Sequence, residues 1–279
     1  MPGLMFHHFH SDGHPVQQGS LTADDLRRII EKRNPISATA WLNGQAGNVL
    51  TFDDGLLCQK HIAAPVLKEY GLTAFFFVYT APLVGVVSRL ELYRRVRTTM
   101  FPTVDDFYDA FGWVQPAPAD WLTAHTYLSQ RDRDFRHWRD AVADPGDYEL
   151  RMDAVIEALW HQGRSPYMDL WMTAHDLRAL AAEGHIIGTH SHSHPTVLAD
   201  LTKEAQEVEY ATSTWILERV LGARPTAMSH PCNSYTPHGL DYLRTLGYNV
   251  GFRATPEAGA WGPLEVPRID SADLVKEIQ

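Results

Sequence analysis

The chain has 279 residues, enough for one large domain or two small ones. With 44% hydrophobic and 21% charged residues it can bury a sizeable core, which excludes a disordered chain. A formal net charge of −10 excludes the broad basic face of nucleic-acid binding, and two cysteines, Cys58 and Cys232, exclude a disulfide framework.

Met1-Pro2-Gly3 leads straight into an apolar run, with no basic region and no cleavage-like site. No stretch reaches the ~18 consecutive apolar residues of a membrane span. The sequence therefore predicts a soluble, cytoplasmic protein with no transmembrane segment. Short apolar runs predict strands at Leu4–Phe9, Asn48–Phe52, Thr73–Tyr79, His185–Thr189, Pro225–Ser229, Tyr248–Arg253 and Leu264–Ile269. Between them, helices are punctuated clearly. Cys58–Tyr70 stops at Gly71. Thr173-Ala174-His175-Asp176 is a capping-box start for a helix ending at Gly184. Thr202 opens a long helix ending near Gly222, and Thr236-Pro237 opens another closed by Gly247. This alternation predicts an α/β fold of about seven parallel strands, open or closed into a barrel.

From about 82 to 172 the alternation stops. Arg89–Met100, Val104–Phe111 and much of Ala119–Gln162 read as helical, with Trp113, Trp121, Trp138 and Trp160 among them. The segment is read as a helical insertion between strands 3 and 4 of a single domain spanning 1–279. It is either a further packing layer or a lid over a substrate pocket.

Two motifs carry chemistry. Thr51-Phe52-Asp53-Asp54-Gly55 ends a strand, where parallel α/β folds place their active sites. His190 and His194 follow another strand, at a spacing that lets both meet one ion. One carboxylate and two histidines leave an open position on a metal, and the second carboxylate is left over as a base.

These two motifs resemble those of the polysaccharide deacetylases, the NodB-like carbohydrate esterases of family 4. Thr51–Gly55 is similar to that family's first motif and His190–Pro195 to its second. The resemblance implies a distorted (β/α) barrel and metal-dependent N-deacetylation of an amino sugar. It implies Asp53 as general base and Asp54, His190 and His194 as ligands of one divalent cation, zinc first. Other cations suit the same donors.

Two further family motifs are altered. Where the family has Arg-x-Pro-Tyr, this chain has Ser229-His230-Pro231-Cys232. The Cys232 amide can still serve an oxyanion, but the arginine is missing. Arg268, in Val266-Pro267-Arg268-Ile269-Asp270, is the expected substitute, holding Asp53 bidentately. The Leu-x-x-His motif, the usual source of the general acid, is absent. His7, His8 and His10 follow the first strand, with His8 and His10 on one face and His7 on the other. His10 and His8 are ranked first as acid, His7 as a substrate contact, and His230 is the fallback.

The expected substrate is a small or lipid-linked N-acetyl amino sugar used as an intracellular precursor of a surface polysaccharide. A deformylase or other amide hydrolase on the same scaffold is the nearest alternative. A non-catalytic, metal-dependent carbohydrate-binding protein is the alternative from another class.

Overall fold

The computed structural model describes residues 2–17, 19–120, 129–164, 170–256 and 261–278. Seven short strands form: β1 (Gly3–Phe6), β2 (Val49–Phe52), β3 (Phe75–Val78), β4 (Ile186–Thr189), β5 (Ala227–Ser229), β6 (Val250–Phe252) and β7 (Arg268–Asp270). All pair in parallel, in the order β6-β5-β4-β3-β2-β1-β7. A parallel bridge from Phe252 on β6 to Val266, just before β7, joins the two edges. The sheet is thus a nearly closed barrel, the distorted (β/α) barrel expected from the sequence.

Each strand is shorter than its apolar run. The first ends at Phe6 because the backbone of His8 and His10 turns away to pair with Leu21. The last begins at Arg268 rather than Leu264. Pro267 has no amide hydrogen to give to the ladder, and Val266 pairs with β6 instead.

Alternation along the strands builds two layers. Leu4, Phe6, Leu50, Phe52, Phe76 and Ile187 face outward. They share one core with Leu26, Ile29 and Ile30 of α1 (Ala23–Arg33), Val66 and Leu67 of α3 (Ala64–Glu69) and Leu177 and Leu180 of α8 (Ala174–Ala182). Val49, Phe75, Phe77, Ala227, Phe252 and Val266 fill the interior with Ala38 and Trp41 of α2 (Ala38–Leu42). Gly188 on β4 is dictated by this crowding. A Cβ there would lie 2.4 Å from the Ala227 carbonyl oxygen and 2.7 Å from the Phe77 ring.

The Thr173–Asp176 capping box opens α8. Thr202 caps α9 (Lys203–Leu221), which ends on left-handed Gly222, and Thr236 caps α10 (Pro237–Thr245). Helix Cys58–Tyr70 opens with a π turn at Gln59–Ala63 before α3. The sequence reading did not anticipate α1, α2 or α11 (Ser271–Ile278), although Thr22 and Asp25 form a full capping box on α1.

The chain divides into two compact units, Met1–Ser88 with Asp169–Gln279, and Arg89–Met168. The second contains α4 (Arg89–Thr99), α5 (Val104–Phe111), α6 (Gln130–His137) and α7 (Pro145–His161). It has its own core of Leu92, Val96, Phe107, Phe135, Trp138 and Met152. Inside it, Asp132 holds Arg97 at 3.0 Å, Arg136 at 3.1 Å and the Tyr108 hydroxyl at 2.7 Å. Trp113 and Trp160 are exposed, and Trp121 lies outside the described residues. No helix among the described residues is long and apolar enough to cross a membrane.

Candidate active site

At the C-terminal end of β2 the inward positions run Val49, Thr51, Asp53. The Asp53 amide extends the ladder by donating to the Phe6 carbonyl at 3.0 Å. Asp53 is only 1% exposed and Arg268, entering from β7, is fully buried. The two form a bidentate pair, Nη1 to Oδ1 at 2.7 Å and Nη2 to Oδ2 at 2.7 Å. Arg268 also donates from Nη1 to Thr51 Oγ1 (3.2 Å), from Nη2 to Ser229 Oγ (2.7 Å) and from Nε to the Arg253 carbonyl (3.1 Å). Every N–H of the guanidinium is therefore used. Ser229 Oγ closes the ring by donating to Asp53 Oδ2 at 3.2 Å. Room for Arg268 comes from Gly3, where a Cβ would press on its Cγ at 3.0 Å.

Burial works against ionisation of Asp53. The Arg268 charge, with help from His190, outweighs it and holds the carboxyl well below the usual carboxylate range. The group is an anion at neutral pH.

Asp54 and Gly55 are both left-handed, at φ 75° and 62°. The turn points the second carboxylate at the loop after β4. Asp54 Oδ1 lies 3.7 Å from His190 Nε2 and 3.4 Å from His194 Nε2, and one ligand atom from each residue falls within 4.8 Å of the others. All three are buried. His190 Nδ1 must donate to the Ser229 carbonyl at 2.9 Å, which leaves Nε2 as a lone pair facing the carboxylate. Burial pushes His190 down to about 4, against the pull of Asp53 and Asp54, so the ring is neutral at pH 7. A carboxylate oxygen and two imidazole nitrogens at this spacing fit a divalent transition metal. Asp53 Oδ2 stands 3.8 Å from His190 Nε2 and is already committed to Arg268 and Ser229.

The remaining candidates are dispersed. His7 follows the outward-facing Phe6, so alternation turns it inward, near enough to Asp53 to help lower that carboxyl. His8 is buried, with its carbonyl accepting the Leu21 amide. His10 is turned to Ser20, Nδ1 to Oγ at 2.9 Å, away from the cluster it was ranked to serve. His7 thus takes the face that the sequence ranking gave to His10 and His8. His230 is buried, donates from Nε2 to the Leu264 carbonyl at 2.8 Å and stacks on Tyr235 at 4.1 Å. Burial pushes it down to about 3, so near neutrality the ring is neutral and its one N–H is committed to Leu264. Cys232 is left-handed at φ 49°, with its side chain exposed.

Several supporting residues escaped the sequence reading. Gln59 Nε2 clamps the ends of two strands, donating to the Asp53 carbonyl at 2.5 Å and the His7 carbonyl at 2.9 Å. The Trp171 indole donates to the Tyr79 hydroxyl, and the Tyr79 ring lies 5.3 Å from that of His194. Trp171 is tied to the carboxylate turn through its bridge to Leu56. Glu209 of α9 holds the His192-Ser193 backbone. Gln59 stands at a helix start, Tyr79 just past β3 and Glu209 two turns into α9, and nothing in the local sequence singles any of them out.

Residues 156–251, about a third of the 279, match the family described as polysaccharide deacetylase. The match includes His190 and His194 and stops short of Asp53, Asp54 and Arg268. No curated protein sequence matches. Among solved structures, the chain is similar to the Streptococcus pyogenes deacetylase PplD in complex with acetate, at 15% identity and TM-score 0.58, covering 100% of this chain and 98% of that one. IcaB from Ammonifex degensii gives 16% identity and TM-score 0.57, covering 100% and 96%. A de-N-acetylase from Aggregatibacter actinomycetemcomitans gives 15% and 0.58, covering 100% and 99%. At these identities the likeness is one of fold, and it extends over the whole chain.

Proposed function

We propose, for a chain that carries a NodB-like polysaccharide deacetylase domain and so a hydrolase scaffold, that it removes the acetyl group from an N-acetyl amino sugar with the help of one divalent metal, zinc first. The carrying observation is the division between neighbouring carboxylates. Asp54 faces two imidazoles, while Asp53 faces a guanidinium. A pure binding site has no use for the second, buried anion.

A cation held by Asp54, His190 and His194 would polarise the acetamide carbonyl and acidify the attacking water. Asp53 accepts the proton of that water, kept ionised by Arg268. Arg268 touches no substrate, so it is a positioning residue. The Cys232 amide, on the turn braced by His230, is the proposed donor to the oxyanion. His7, beside Asp53, is the proposed donor to the leaving amine, ahead of His8 and His10. The helical unit Arg89–Met168 is taken as an insertion into this single domain. A small or lipid-linked precursor in a reducing compartment suits a chain whose Cys58 and Cys232 form no disulfide among the described residues.

Acetate release from free, nucleotide-linked and lipid-linked N-acetyl amino sugars, with and without chelator, tests the reading. Release with at least one of them, abolished by chelator and restored by zinc, is expected. Chelator-insensitive release overturns the metal assignment, and formate release from N-formyl sugars alone moves the protein to the deformylases. The tight Asp53–Arg268 pair lowers the basicity of Asp53 and so favours a second reading, a metal-dependent sugar-binding protein. Saturable sugar binding with no hydrolysis of any substrate supports that one.

A further inference from the structure

The loop His190–His194 supplies two imidazoles, and they are held by different means. His190 is fixed through its own ring, by the Nδ1 bond to the Ser229 carbonyl. The His194 ring has no such tie. Its Nδ1 is buried without a hydrogen-bond partner among the described residues, and the rings of His190 and Tyr79 pack beside it at 4.7 Å and 5.3 Å. The position of His194 Nε2 is therefore inherited from the backbone.

That backbone is in an unfavourable shape. Ser191 and His194 are both left-handed, at φ 64° and 58°, a region that residues with a Cβ avoid. Something must hold the loop there. The other contacts are His190 N–H to the Val78 carbonyl (2.9 Å), His194 N–H to Ser191 Oγ (3.2 Å), Ser191 N–H to Thr189 Oγ1 (3.1 Å), the Ala81 N–H to the His192 carbonyl (2.9 Å) and Thr80 Oγ1 with His192 Nδ1 (2.9 Å). The charged contact is Glu209. Its Oε2 accepts the His192 N–H at 2.9 Å and the Ser193 N–H at 2.8 Å, and its Oε1 accepts the Ser193 hydroxyl at 2.6 Å. Bonds to an ionised acceptor are roughly twice as strong as neutral ones. Glu209 sits on the long helix α9, which is anchored in the core by Tyr210 and Leu217, so the clamp has a rigid base.

We infer that Glu209 is a positioning residue for the metal site, holding the strained loop so that His194 Nε2 faces Asp54. This rests on the reading of Asp54, His190 and His194 as metal ligands. In metal sites, groups that orient the ligands are worth about 10–100-fold in affinity.

The test is Co²⁺ uptake by the metal-free full-length protein, followed by calorimetry and by the visible absorption of bound Co²⁺. Wild type, Glu209→Gln, Glu209→Ala and, as a control on the same helix, Glu207→Ala are compared. Glu209→Ala is expected to bind about 10–100-fold more weakly, with a changed Co²⁺ spectrum. Glu209→Gln keeps an acceptor oxygen without the charge, so it should fall between the two. It also carries the test if Glu209→Ala fails to fold. Glu207→Ala should match wild type, because Glu207 pairs with His238 instead. If both Glu209 variants bind as tightly as wild type with the same spectrum, Glu209 has no positioning role and the metal reading survives. A wild-type protein that takes up no Co²⁺ overturns the metal reading and this inference with it.

Discussion

Removing Arg268 should expose how much the site depends on one guanidinium. In Arg268→Met the carboxylate of Asp53 loses both of its 2.7 Å bonds and stays buried. Breaking one side of a buried ion pair costs about 3–5 kcal/mol, against a total stability of roughly 5–15 kcal/mol for a typical domain. The sign with pH follows from the same groups. In the wild type, Asp53 titrates below its unfolded value, so the pair stabilises the fold above that value and the benefit is lost as pH falls through the folded one. Without Arg268, burial is the dominant influence and the folded carboxyl titrates above its unfolded value. The penalty then applies at neutral pH and is relieved as pH falls and Asp53 takes up a proton. Urea melts of both proteins at pH 7.5 and pH 5 should therefore show a gap that narrows toward acid. A double-mutant cycle with Asp53→Asn isolates the pair. The double variant should lose much less than the sum of the single losses. A pH-independent gap together with an additive cycle would refute the reasoning, since neither can arise from a buried charge left alone.

Three other outcomes follow from the geometry. Asp53→Asn should lower acetate release by about 10²–10⁴-fold yet leave Co²⁺ uptake near wild type, because Asp54, His190 and His194 do the binding; parallel loss of both readouts would merge the two proposed roles. His185 is pushed down to about 4 by burial, with Nδ1 accepting the Ala74 N–H at 3.1 Å. Its contribution is complete above pH 6.5 and is lost as pH falls toward 4, at most about 3 kcal/mol, and His185→Asn, which keeps the acceptor without titrating, should flatten that acid limb in denaturant melts. Gly188→Ala should destabilise the fold by about 3 kcal/mol or more, read as a lowered melting temperature, since the added methyl meets backbone at Ala227; a neutral substitution would show that β4 and β5 can part without cost.

The barrel was legible in the sequence because its strands are short apolar runs ending in chemistry-bearing residues, and its helices have caps that can be read singly. Thr173–Asp176 and Thr202 mark helix starts from four residues of text or fewer. Asp53-Asp54 and His190–His194 stood out for the same local reason. Long-range choices were not legible. Alternation separated His7 from His8 and His10, but could not say which face of β1 looks into the barrel. That is decided by Phe6 and Leu4 packing outward on α1 and α3. The role of Glu209 was invisible because helical period gives the face of a residue, not the loop that face will meet. The helix α1 carried a full signature in Thr22, Asp25 and the Leu26-Ile29-Ile30 stripe, and went unread beside the histidines before it.

The altered third motif shows how a nearly closed barrel relaxes the link between position in sequence and position in space. In an open sheet, a guanidinium lost from β5 has no near replacement on the far edge. Here β7 pairs with β1, and β1 pairs with the β2 that bears Asp53, so an inward residue of β7 enters the same interior as Ser229. Serine at 229 leaves volume that an arginine there would fill, and Arg268 occupies it, its Nη2 bonded to Ser229 Oγ at 2.7 Å. Glycine at position 3 provides the remaining clearance. Three residues on three strands, Gly3, Ser229 and Arg268, thus keep one cation against one carboxylate. It follows that Ser229→Arg alone should not strengthen the site. It would place a second guanidinium where Arg268 already has all its donors satisfied, and a buried unpaired cation is costlier than the bond it replaces.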